Sequence, residues 1–88
     1  MRPVKFKNEF ELLTKPTVIQ SMYNAITFIN ASTAITDIVT INNLPLNPGQ
    51  SLSIEGNNDE IDTTVYNVGL GTSTTASVWV IKKQNLPS

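Results

Sequence analysis

The sequence predicts an all-β domain: a small antiparallel β-sandwich, jelly-roll-like or Ig-like, or else a small barrel, with an extended N-terminal arm. Three observations lead there. Thr, Asn and Ser fill 28 of the 88 positions, and β-branched Thr fits a pleated surface while Asn accepts turn geometry. Six or seven short stretches alternate apolar with polar residues at roughly 8–12-residue spacing, with turn signals between them. No stretch sustains helical periodicity over about 10–12 residues.

The elements follow in order. Residues 1–15 read as the arm. Val4, Phe6, Asn8 and Phe10 fall on one side of an extended chain, with Lys5, Lys7, Glu9 and Glu11 on the other. Such a half-buried edge segment pairs either with its own sheet or with a neighbouring subunit. After Lys15-Pro16, a first core strand covers Thr17–Gln20 or runs on to Asn30. Residues 35–41 (ITDIVTI) alternate again, placing Asp37 on the apolar face, either where the strand begins or at a bulge. Residues 42–50 (NNLPLNPGQ) read as a connection, because Pro45 and Pro48 cannot donate ladder hydrogen bonds. Ser51–Glu55 is a short strand with Leu52 and Ile54 inward. An acidic turn then leads into a strand over residues 63–70. Gly69, Gly71 and the Thr/Ser run open the next loop. Residues 76–83 form the last strand, apolar on both faces and so central or covered by a partner. The sandwich domain spans residues 16–83, and residues 84–88 read as a tail.

Composition narrows the chemistry. The chain has neither Cys nor His, which removes disulfides, thiol nucleophiles, Cys/His zinc sites and His-based acid–base catalysis. The first residues lack a continuous apolar core of the signal-peptide kind. The run VWVI is far shorter than the roughly 20 residues that span a bilayer. A soluble protein, with no membrane partner, is expected. A chain of this length buries only about 60–65% of its unfolded surface, so assembly with a partner is a natural source of stability. Net charge is −1, yet all six basic residues (Arg2, Lys5, Lys7, Lys15, Lys82 and Lys83) lie toward the ends. The interior carries only Asp37, Glu55, Asp59, Glu60 and Asp62. This is either charge carried on solvated tails or a basic arm and acidic body that meet complementary patches.

Two constellations carry candidate chemistry. Glu55, Asp59, Glu60 and Asp62 could pair for glycoside hydrolysis or gather calcium. GNNDEID lacks the ligand alternation of a calcium loop, and solvated turn residues with Asp62 capping the next strand account for it better. Tyr23, Tyr66 and Trp79 are candidates for an aromatic sugar-binding surface, or else pack in the core or a subunit interface. With no Lys or Arg between Pro16 and Ile81, nucleic acid is not an expected partner. No metal, cofactor or catalytic residue is expected, and the chain reads as no enzyme.

The stretches LPLNPGQSL, IEGN, EIDTT, YNV and VIKK, all in the C-terminal half, resemble small β-sandwich modules of tailed-phage virions, crAss-like phages included. Those modules combine a Pro-Gly turn, a short Ser-Leu-x-Ile strand, an acidic turn and a closing Lys-rich strand. The resemblance implies an auxiliary or decoration protein that stabilises a phage capsid shell, made in the host cytoplasm and carried on the capsid surface. Its partner would be the major capsid protein or another virion protein. The alternatives are a trimeric head- or tail-fibre anchoring module and a carbohydrate-binding adhesion module. On the first reading Arg2, Lys5 and Lys7 meet acidic shell patches, and Val4, Phe6 and Phe10 fill apolar pockets.

Overall fold

A computed structural model describes residues 5–56, 60–71 and 73–86. Eight strands follow one another: β1 (Lys5–Leu13), β2 (Thr17–Gln20), β3 (Ala25–Asn30), β4 (Val39–Ile41), β5 (Leu44–Leu46), β6 (Ser51–Glu55), β7 (Val65–Gly69) and β8 (Val78–Leu86). The described residues contain no helix. The strands form two four-stranded sheets, ordered β1-β8-β3-β6 and β2-β7-β4-β5, and every pairing is antiparallel.

The pairs β4·β5, β3·β6, β2·β7 and β1·β8 nest one inside the next. The chain is thus one long hairpin, rolled so that β3 also meets β8 and β4 also meets β7. That order is the eight-stranded jelly roll, not the immunoglobulin arrangement. Its tip is the turn Asn42-Asn43, where φ is 48° and 70°. A two-residue hairpin turn of this hand needs positive φ at both positions, and Asn tolerates it better than most residues.

Alternation sends one side of each strand into the core. Ile26, Phe28, Val78 and Val80 come from the first sheet, and Ile19, Val39, Ile41, Tyr66 and Val68 from the second. Leu52 and Ile54 pack against this core from β6, as expected. The Phe28 and Tyr66 rings meet across the layers, 5.1 Å apart and tilted by 58°, an arrangement favoured by their quadrupoles.

Polar side chains join the layers at one end. Asn30, only 1% exposed, donates from Nδ2 to the carbonyls of Asp37 (2.8 Å) and Leu46 (2.9 Å). Its Oδ1 accepts from the Ser32 amide at 3.0 Å. Asp37 lies just before β4, so the strand start, not a bulge, resolves its place in the alternation. Its carboxylate accepts from the Ser73 and Thr75 hydroxyls, both at 2.6 Å. Those two bonds hold its pKa below the usual carboxylate value, against a smaller opposing effect of burial.

Several boundaries differ from expectation. Leu44–Leu46 is strand β5 and not part of a connection. Pro45 is accommodated because β5 is the sheet edge, where a missing N–H interrupts no ladder. Of the two extents left open for the first core strand, the shorter one holds: β2 is Thr17–Gln20, and Met22, whose φ is 52°, divides it from β3 in the other sheet. Ile35 lies outside β4, strongly exposed. Within the expected arm, Lys5–Leu13 form β1, paired with its own sheet along all nine positions, one of the two pairings left open for it. That pairing also carries β8 on through Gln84, Asn85 and Leu86, where the sequence reads as a tail.

Candidate functional site

The register of the first sheet places its outward side chains on a grid. One row runs Leu12, Trp79, Ile29, Ser51, and the next Phe10, Ile81, Thr27, Ser53. A third runs Asn8, Lys83, Ala25, Glu55, and Phe6 lies beside Asn85 at the far end. The apolar members are not covered. Phe10 is 64% exposed, Phe6 55%, Leu12 46% and Trp79 40%, while Ile29 and Ile81 are half-buried. Exposed apolar faces of this kind, flanked by polar side chains, are characteristic of interaction surfaces.

The local geometry follows from strand pairing. The inner faces of β3 and β8 fill the core, so Trp79 and Ile81 must point outward. Along β1 only Leu13 is buried. Lys83 Nζ stands 4.9 Å from the Phe6 ring centroid and Lys82 Nζ 5.3 Å from that of Tyr23, within cation–π range. Pairing β1 with β8 gathers the basic residues of both ends (Lys5, Lys7, Lys82 and Lys83) at one end of one sheet.

On the other side of β1, the Tyr23 hydroxyl donates to Glu9 Oε2 at 2.7 Å, and Lys7 Nζ lies 3.5 Å from Glu9 Oε1. The tyrosine hydrogen bond, with help from Lys7 and Lys82, lowers the Glu9 pKa, and the same bond raises that of Tyr23.

The expected site residues separate. Lys5, Phe6, Lys7 and Phe10 all lie on β1, the two Phe outward and the two Lys on the opposite side. Arg2 and Val4 lie outside the described residues. The three aromatics do not share a surface. Tyr66 is buried in the core, Tyr23 is half-buried beside Glu9, and Trp79 lies on the outer face of the first sheet. A three-aromatic sugar platform is therefore absent. The Tyr66 hydroxyl donates a hydrogen bond to Asp62 Oδ2. Burial, and then this bond, push the Tyr66 pKa up to about 12.

In the acidic cluster, Asp62 and Glu60 make structural contacts. Asp62 Oδ1 accepts from the Thr64 amide at 2.9 Å, the capping role expected of it. Burial pushes the Asp62 pKa up, but hydrogen bonds from Thr64 and Tyr66 outweigh this and leave it lowered. Glu60 offers its backbone carbonyl to Asn24 Nδ2 at 2.6 Å, and Asp59 lies outside the described residues. Among the described residues no three acidic side chains converge as a metal site. Two surface depressions, one beside Val18, Thr40 and Asn67 and the other beside Asp37, Ile38 and Leu70, contain no pair of titratable groups.

Leu12, Ile29 and Ile81 complete the apolar face but could not be singled out by alternation. Only the three-strand register shows that they adjoin Phe10 and Trp79. Among protein-family models, curated proteins and solved structures, nothing matches this chain.

Proposed function

We propose that this chain is a non-enzymatic virion structural protein, an auxiliary or decoration protein that docks on a phage shell through the outer face of β1, β8 and β3. The uncovered apolar grid around Phe10 and Trp79 carries this reading. Aromatic anchors of this kind dominate protein interfaces, each contributing roughly 1–2 kcal/mol when buried. Repetition over a lattice multiplies a weak single contact into avidity. Eight-stranded jelly rolls recur in viral shells, which supports the reading by fold analogy alone. Lectins share the architecture, but here Trp79 stands beside Leu12 and Ile29 in one row and Phe10 beside Ile81 in the next, a surface better matched to protein than to sugar.

The test is co-sedimentation of the purified chain with shells assembled from the cognate major capsid protein. The native chain should pellet with shells, whereas Phe10→Glu and Trp79→Glu should stay in the supernatant with their β circular dichroism intact. Folded variants that still bind would exclude this face as the dock. A native chain that never pellets would remove the virion reading.

A further inference from the structure

The edges of the two sheets are not alike. β2, β5 and β6 are three to five residues long, and β5 contains Pro45. Short strands and proline are standard ways to blunt an edge against further pairing. β1 has nine residues, no proline, and only Leu13 buried. One side of it is paired with β8, and it is the end strand of its sheet.

Its sequence is a charge palindrome. Residues 5–11 read KFKNEFE, with like-sized blocks of opposite sign about Asn8. We propose that β1 pairs antiparallel with β1 of a second copy of this chain, about a two-fold axis at Asn8, joining two four-stranded sheets into one of eight.

In that register Lys5 faces Glu11 and Lys7 faces Glu9 on one surface, each contact occurring twice. Phe6 faces Phe10 on the other surface, also twice. Opposite-charge and aromatic cross-strand pairs are the favourable ones in antiparallel sheets. The competing registers are worse. A shift of two residues one way sets Lys7 on Lys7, and the other way Glu9 on Glu9. A shift of one residue would match bonding groups with non-bonding ones and inward with outward side chains. Lysines on an edge normally discourage pairing, but here the pattern selects one partner and one register. Glu9 also holds Tyr23 and Lys7 of its own chain. The dimer also merges the two apolar faces, because Phe6, Phe10 and Leu12 point the same way as Trp79 in both copies. This pairing does not depend on what the face docks against.

Sedimentation equilibrium on the full chain and two variants, Lys5→Glu and Glu11→Lys, tests the pairing. Neither residue takes part in the Glu9 contacts, so both variants should keep their β circular dichroism. The native chain should sediment at twice its 9.6 kDa mass. Each variant alone faces like charges at both ends of the ribbon, so its dimer should be roughly tenfold or more weaker. An equimolar mixture restores every opposite pair and should recover the native affinity. A native chain monomeric at millimolar concentration overturns the proposal. So do variants that dimerise as well as the native chain, a mixture no tighter than its components, or a native trimer. Hydrogen exchange on the unaltered chain is the second measure. The outward amides of residues 5–11 should gain protection with rising concentration, and unchanged protection would equally refute the pairing.

Discussion

Replacing Asn30 by Ala would remove a tie that joins three segments. The side chain is 1% exposed and satisfies the carbonyls of Asp37 and Leu46 and the amide of Ser32. Alanine leaves all three without their partner. Each buried backbone group stranded in this way costs about 1–3 kcal/mol. Partial collapse and water entry at the sandwich end reduce the sum, so a loss of about 3–5 kcal/mol is expected. A domain of this length has roughly 4–13 kcal/mol in total, so the variant should lose about a quarter of that at the least and, at the lower end of the range, all of it. Urea titration followed by Trp79 fluorescence and circular dichroism measures the loss. With a slope of about 1 kcal/mol per molar, the midpoint should fall by about 3–5 M or vanish. Asn30→Asp keeps the acceptor for Ser32 but cannot donate to two carbonyls, and at neutral pH it should do no better. Thr27→Ala, on the outer face where Thr27 meets the Ser53 hydroxyl at 3.1 Å, is the mild control. A loss below about 1 kcal/mol in Asn30→Ala would show that water replaces the amide and that the tie is not structural.

Three further outcomes follow from single contacts. The Ser21 hydroxyl is buried with no hydrogen-bond partner among the described residues, so Ser21→Ala should be neutral or stabilising by up to about 1 kcal/mol in the same urea assay. Asp37 has a lowered folded pKa, so its contribution is present above the unfolded value of about 3.9 and is lost as pH falls through the lower folded value. Asp37→Asn should therefore lose stability at neutral pH and flatten the acid limb of the stability curve, measured by thermal melts at successive pH values. In the hairpin turn, Asn42 Oδ1 accepts from the Asn67 amide at 2.7 Å, whereas Asn43 contributes its positive φ. Asn43→Gly should be neutral or stabilising by a few tenths of a kcal/mol, and Asn42→Ala should cost about 1–2 kcal/mol.

Most of the sandwich was legible because its strands alternate cleanly. Ile26 and Phe28 against Thr27 and Ile29, or Val78 and Val80 against Trp79 and Ile81, reveal face as well as strand. Leu44-Pro45-Leu46 was not legible, because proline signals a break unless the strand is known to be an edge, and edge position is a property of the whole sheet. The extension of β8 through Asn85 was hidden for a related reason: polar residues form a strand there only because β1 lies alongside. The site was half legible. Phe6 and Phe10 stood out by period two, but joining them to Ile29, Ile81 and Trp79 needs a register between segments far apart in the chain. Tyr66 misled, since a tyrosine whose hydroxyl finds Asp62 can lie in the core.

The nested pairing has a consequence for the order of events during folding. A rolled hairpin can zip outward from its tip, since each closed pair shortens the loop that the next must close. The Asn42-Asn43 turn brings β4 to β5 across two residues, whereas β1 waits for β8, the last strand in the chain. Pulse-labelled hydrogen exchange should find the amides of β4 and β5 protected before those of β1. The face proposed for docking is built on that final rung. A chain whose folding has not finished therefore has no such face to offer, and recruitment to an assembly would select completed molecules without any separate proofreading step.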